Sequence, residues 1–253
     1  MENRKGKTKR EEVRARRRRQ QMLTRLAVIA VIGGVVLLLV GLIVLPPILQ
    51  SIRDARAPVG EIVQITPFPY PESDGKTMGD PNAPVRIDVY EDFQCPACGN
   101  YSTNTERQII EEYIETGEVY YVYHHFPFID DISVSKESDQ AANASMCAAE
   151  QGRFWDYHDI LFTNWSGENE GAFRDNRLLA FAEELDLDMD QFEACFDENR
   201  YEDVVNEDIA SARSLGVDST PSVFVNGELL TPGFVPSFSD VQQAVENALA
   251  SSQ

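Results

Sequence analysis

Residues 85–101 read "VRIDVYEDFQCPACGNY". The stretch 85–93 is rich in β-branched and aromatic side chains and predicts a strand. Pro96 follows Cys95, and proline suits the first helical position because its missing N–H has no intrahelical partner there anyway. A helix is therefore expected from Pro96 to about Glu115, with Gly117 ending it. Cys95 then sits at a helix N-terminus, where free N–H groups and the helix dipole stabilise a thiolate, and Cys98 lies one turn further along. Such a pair can meet disulfide geometry, but the ring it closes is too small to remove much chain entropy. A bond weak as a staple and easily exchanged points to redox chemistry. The competing reading is half of a zinc site. A closed zinc site needs four ligands, whereas Cys147 and Cys195 are single and His124 and His125 are adjacent on a strand, facing opposite sides.

Outward from this stretch, "EVYYVYHHF" (118–126) predicts a second strand. Strand, helix, strand in that order implies a parallel pair with a right-handed crossover. From Ser138 to Leu215 the pattern turns helical, with apolar residues recurring at three and four. Phe154, Trp155, Tyr157 and Phe162 fall there at core spacing, and His158 reads as a packed or surface histidine. "SVFV" and "ELLT" then flank Asn226-Gly227, a type I′ hairpin signal. The C-terminal "SFSDVQQAVENALA" predicts an amphipathic helix capped by Ser237 or Ser239.

The N-terminal side differs in kind. Residues 1–25 hold eleven Lys/Arg against three acids, while the rest of the chain holds eleven against 39. A main domain this acidic excludes nucleic acid as its partner, because phosphate is repelled. Leu26–Leu45 is an uncharged apolar run, and as a helix it spans about 30 Å, the hydrocarbon thickness of a bilayer. It is longer than the apolar region of a cleaved signal peptide and lacks a small-residue cleavage site after it. The expectation is an uncleaved anchor over 26–49. The basic segment 1–25 stays cytoplasmic against anionic lipid, and everything past about residue 50 faces outward. Residues 50–84, with six prolines from Pro58 to Pro84, read as a semi-rigid tether. All four cysteines lie on the outward side, where an even count fits two disulfides.

Four segments carry a family resemblance: "MGDPNAPVRIDVYEDFQCPACGNY", the strand ending "HHFPF", "ASMCAAEQGRFWDYHDILF" and "GVDSTPSVFVNG". Together they resemble the DsbA-like thiol–disulfide oxidoreductases, in the branch with membrane-anchored bacterial members. The resemblance implies an α/β thioredoxin fold over 85–253 with a helical domain inserted at about 138–215, preceded by one transmembrane helix. It implies that Cys95 attacks and Cys98 resolves, with Pro96 and Ala97 between them. Pro221 takes the place of the family's cis-proline, which brings the Thr220 backbone beside the disulfide to pair with an extended substrate. Some members join the inserted helices by a second bond, here Cys147–Cys195, with a structural role. The implied activity is disulfide donation to exported proteins with cysteines, and reoxidation by a membrane partner of the DsbB or vitamin K epoxide reductase type. A reductase or isomerase, or a non-catalytic anchored peptide-binding module, is the alternative. No cofactor and no metal is implied.

Two departures stand out. The buried acid that the family commonly carries six residues before the first cysteine is Val89 here. Asp88, Glu91 and Asp92 are the nearby acids able to take the proton of Cys98, with at least two of them expected to face solvent. Ala97 stands where strong oxidants of the family often carry histidine, so it gives Cys95 no charged neighbour.

Overall fold

The computed structural model describes residues 9–132 and 135–251; residues 1–8 of the basic segment lie outside the described residues. The chain divides into two compact units, Met1–Arg56 and Ala57–Gln253. The described residues of the first form one helix, α1 (Lys9–Arg56). Its stretch Arg16–Pro46 is long and apolar enough to cross a membrane. Leu26, Ile29, Leu37, Leu42 and Ile43 are exposed along it, as a bilayer-facing helix requires.

The second unit is built on a five-stranded sheet in the order β1-β3-β2-β4-β5. β2 (Val85–Glu91) and β3 (Val119–His125) pair in parallel, with Val85 opposite Val119 and Glu91 opposite His125. The crossover between them is α2, residues 96–114, which alternates α-helical turns with π-helical turns at Ser102–Glu106 and Ile110–Ile114. β4 (Ser222–Val225) runs antiparallel to β2, and β5 (Glu228–Leu229) returns beside it. The turn between them holds Asn226 and Gly227 at φ 47° and 83°, the left-handed pair that a type I′ hairpin needs. The last helix, α8 (Phe238–Ser251), starts from Ser237. The Ser237 hydroxyl accepts from the Asp240 N–H, and the Asp240 carboxylate accepts from the Ser237 N–H.

Among the described residues between β3 and β4 lie a short 3-10 turn, Phe128–Ile132, and five α-helices: α3 (Glu137–Ala149), α4 (Phe154–Thr163), α5 (Asp175–Glu184), α6 (Met189–Asp197) and α7 (Glu202–Ser214). They share one core with the sheet. Phe154, Trp155, Tyr157 and Ile160 on α4 are buried in the same cluster as Val89, Tyr121 and Tyr123. Cys147 on α3 and Cys195 on α6 are bonded, with S–S 2.00 Å.

The tether expected over 50–84 takes a different form from Ala57 onward. Ile62, Ile65, Phe68 and Tyr70 pack against the core cluster. Tyr70 stacks on Trp155 at 5.2 Å between ring centroids, and its hydroxyl donates to Asp159 at 2.7 Å. The Asn164 side chain bonds both the N–H and the carbonyl of Val63. β1 (Thr77–Met78) then joins the sheet antiparallel to β3. From Ala57 to Tyr70 this chain forms no helix or strand. The apolar residues 62, 65 and 68, however, recur at the three-residue period of an extended proline-rich chain, so they fall on one side of it and find a core to bury against. Gly79 ends the strap at φ 83°, with a would-be Cβ 2.5 Å from the Val119 carbonyl oxygen. No larger residue fits that approach.

Candidate active site

β2 delivers its C-terminal end to the start of α2, and the loop 92–95 makes the connection. Cys95 is the residue before the helix, with extended backbone at φ −78° and ψ 119°, and Pro96 opens the first turn. The backbone N–H groups of Cys98 and Gly99 both return to the Cys95 carbonyl, at 3.1 and 3.2 Å. The side chain of Cys95 therefore lies at the open N-terminal end of the helix, as the strand, cysteine and proline sequence predicts.

The two thiols stand in different surroundings. Cys95 keeps 7% of its surface, whereas Cys98 has none. The Cys98 thiol hydrogen-bonds to the Cys95 sulfur and is the largest influence pulling the Cys95 thiol down to about 6. Burial works against it, and Thr220 with the backbone N–H groups of Cys98 and Ala97 adds to it. Cys98 is pushed well above an ordinary thiol, first by burial, then by its hydrogen bond to Cys95 and the charge of Glu91. Ile129, Ala97, Phe128 and Phe162 form the apolar wall around the pair. Phe162 also lies 3.3 Å from where a Cβ on Gly99 would stand, so α4 closes tightly over the first turn of α2.

The Thr220–Pro221 peptide is cis. It leads into β4, and the Thr220 carbonyl oxygen lies 3.4 Å from the Cys95 sulfur. Residues 125 positions apart in the chain thus meet at one spot, and Thr220 itself is buried.

Of the three neighbouring acids, Asp88 is the one that reaches the surface. It lies on the opposite face of the sheet and pairs with Arg86 and with His124 at 2.8 Å. Glu91 and Asp92 are each only 1% exposed, against the expectation that at least two acids face solvent. Glu91 ends β2 at a position where both sheet faces are covered, so strand alternation does not bring it out. Neither of its carboxylate oxygens has a hydrogen-bond partner. Burial pushes Glu91 well above the usual carboxylate range, and the nearby charges of Glu106 and Cys95 push the same way. It is therefore a carboxyl held toward its protonated form beside the buried thiol. Sequence reasoning left Glu91 level with Asp88 and Asp92; its being two residues from Val89 on the same strand face was the signal that could have singled it out. Asp92 is raised to about 7, by burial first, although Ser138, Gln94 and Ile129 donate to it.

His124 and His125 do point to opposite faces. His124 bridges Asp88 and Asp208, at 2.8 and 2.9 Å, beside Lys76. His125 is buried among Phe93, Tyr123 and Phe154, and burial lowers it to about 3. His158 is fully buried and packs between Phe93, Trp155 and Phe162. Among the described residues no group of three or more His, Cys, Asp or Glu is arranged to hold a metal ion.

The sequence and the fold have counterparts among known proteins. The family model described as thioredoxin matches residues 72–247. The chain is 31% identical over 197 residues to a probable disulfide bond formation protein D of Bacillus cereus, covering 76% of this chain and 86% of that one. It is 34% identical over 181 residues to a Na(+)/H(+) antiporter NhaA 3 of Salinispora tropica, but the match spans 71% of this chain and only 26% of the antiporter. The crystal structure of oxidised BdbD from Bacillus subtilis superposes with a TM-score of 0.62 at 20% identity, over 76% of this chain and 100% of that one.

Proposed function

The chain belongs to the thioredoxin family as a DsbA-like thiol–disulfide oxidoreductase, and from that membership we propose that it is an oxidase that donates a Cys95–Cys98 disulfide to exported proteins. The observation that carries the reading is the asymmetry of the pair: one thiol at the helix start lowered to about 6 and partly open, the other enclosed and raised. A substrate thiolate attacks the Cys95 sulfur, and the Cys95–Cys98 bond breaks as the substrate–Cys95 bond forms. Cys98 leaves with the electron pair and takes a proton, for which the carboxyl of Glu91, held toward its protonated form, is the nearby donor. A second substrate thiolate then attacks the substrate sulfur of the mixed disulfide and expels Cys95. Because Cys95 is stabilised as the thiolate, it is a good leaving group, and the reduced enzyme is favoured over the reduced substrate. The substrate gains a disulfide and the enzyme ends as a dithiol.

The Thr220 backbone beside Cys95 offers an extended peptide a partner during this exchange. Pro96 and Ala97 complete the exposed rim, and Cys147–Cys195 stays outside the exchange as a structural bond. Reoxidation falls to a membrane partner of the DsbB or vitamin K epoxide reductase type. α1 anchors the chain as a single pass, with the basic segment cytoplasmic against anionic lipid and the redox domain outside.

Thiol trapping of cells tests the direction. An oxidase holds Cys95 and Cys98 mainly as the disulfide, and Cys98→Ala accumulates mixed disulfides with exported proteins through Cys95. A pair found mainly reduced makes the protein a reductase or isomerase, and full activity in a Cys95→Ala, Cys98→Ala double variant makes it a binding module. Protease added to intact cells should digest the domain beyond about residue 57 and leave the N-terminal segment protected.

A further inference from the structure

The residue next to Cys95 is a fully buried glutamine. Every polar group of Gln94 is engaged, and its partners come from five places in the chain. Its N–H donates to the Asp92 carboxylate at 2.8 Å, and its carbonyl accepts from the Trp165 indole N–H at 2.7 Å. Its side-chain amide donates to Ser138 at 2.8 Å and to Asp130 at 3.3 Å. Its side-chain oxygen accepts from the Asn169 N–H at 2.6 Å. Ser138 in turn donates to Asp92 at 2.6 Å, and the Cys95 N–H donates to the Asp92 carbonyl at 3.0 Å.

These bonds reach the short helical turn Phe128–Ile132, the start of α3 and the loop after α4. All three belong to the part of the chain between β3 and β4, whereas Cys95 belongs to the sheet side. The Cys95 side chain makes no capping bond in the helix geometry, and its bonds to Cys98 and Thr220 hold the sulfur, not the loop behind it. A side chain buried with all its donors and acceptors used is held in one rotamer, and it holds the backbone on which it sits.

We propose that Gln94 is a positioning residue for the exchange reaction, locking the loop 92–95 onto the inserted helices so that the Cys95 sulfur stays at the N-terminus of α2 beside Thr220. The proposal rests on Cys95 being the attacking thiol. It assigns the helical insertion a part in the chemistry, because the insertion sets the geometry of a cysteine that lies outside it. Favourable contacts to a thiolate weaken within the first helical turn, so a small displacement of the loop is felt at the sulfur.

The test is Gln94→Met in the full chain, which keeps the length of the side chain and removes its amide. Thiolate absorbance at 240 nm, reduced minus oxidised, is followed against pH. With the Cys95 midpoint starting from about 6, a rise of about one pH unit is expected, which lowers the thiolate fraction at pH 6 roughly fivefold. The disulfide should become correspondingly easier to form and a weaker oxidant against glutathione. Ser138→Ala and Trp165→Phe each remove part of the same clamp and should move the midpoint in the same direction by less, so the outcome stands even if Gln94→Met does not fold. Leu178→Ala, a cavity variant in the core of the insertion, controls for lost stability and should leave the midpoint in place. If the Gln94, Ser138 and Trp165 variants all titrate as the parent does, Gln94 has no positioning role. If Leu178→Ala shifts the midpoint equally, the effect is general loosening and the proposal is also overturned. A Cys95→Ala chain that still exchanges disulfides sinks instead the reading on which the proposal stands, and the two failures are told apart.

Discussion

Titrating the reduced chain tests the asymmetry of the cysteine pair. Cys95 at about 6 lies roughly 2.5 units below the free value of ~8.5. At pH 7 about nine-tenths of Cys95 is then thiolate, against about 3% of a free thiol. The reduced form is thereby stabilised by about 1.4 kcal/mol at that pH, which makes the disulfide about 30 mV more oxidising than the same pair with an ordinary first thiol. Reactivity changes less than the thiolate fraction does. Intrinsic nucleophilicity falls as the pKa falls, by ~10-fold over this interval, so alkylation at pH 7 should gain only about two- to threefold. The decisive assay is therefore thiolate absorbance over pH 4–10, with the alkylation rate as a check. One thiol should titrate near 6 and the second should stay protonated well past the ordinary range. Cys98→Ala should raise the Cys95 midpoint, since the Cys98 hydrogen bond is the largest influence lowering it. A single step above pH 8 involving both thiols, or a midpoint unmoved in Cys98→Ala, refutes the electrostatic account.

Three further outcomes are expected. Tyr70→Ala should cost about 2–4 kcal/mol, because it removes the stack on Trp155 and the bond to Asp159; a melting curve identical to the parent's would mean that the strap is a tether after all. His124 is raised despite burial by its hydrogen bonds to Asp208 and Asp88, so its contribution is complete below the unfolded value of ~6.5 and fades as pH rises through the higher folded one. Asp88 is held at about 2, against its burial, by His124 and Arg86, so its contribution is present above ~3.9 and lost on acidification towards 2. The gap in urea midpoint between the parent and His124→Ala should thus be widest between about pH 4 and 6.5 and narrow on either side; a gap that stays constant from about pH 4 to pH 9 would contradict this. Replacing Cys147 and Cys195 with serine opens a link across 48 residues and should cost ~4 kcal/mol in the chain-entropy account, leaving the 240 nm titration of Cys95 unchanged.

The sequence by itself determined whatever is written locally. Alternating β-branched residues, proline after Cys95, the Asn226-Gly227 turn and the apolar run at 26–45 each act through neighbouring backbone, so strand β2, the start of α2, the β4–β5 hairpin and the apolar middle of α1, though not its full length from Lys9 to Arg56, were legible in the sequence. The position of Cys95 at a helix start was legible for the same reason. Tertiary structure alone decided which groups share a low-dielectric space, because burial depends on what arrives from distant parts of the chain. Glu91 and Asp92 look like surface acids in sequence, yet both are buried, and Asp92 is bonded by Ile129 and Ser138 from beyond β3 in the chain. Residues 57–84 have the composition of a linker, but whether Ile62, Ile65, Phe68 and Tyr70 stay solvated depends on a core assembled from distant parts of the chain, with Asn164 bonding Val63 across 101 positions and Asp159 bonding Tyr70 across 89. Gln94 carried no local signal at all. All its partners but Asp92 lie 36 to 75 positions further along, and hydrogen bonds over such separations exist only once the fold has closed.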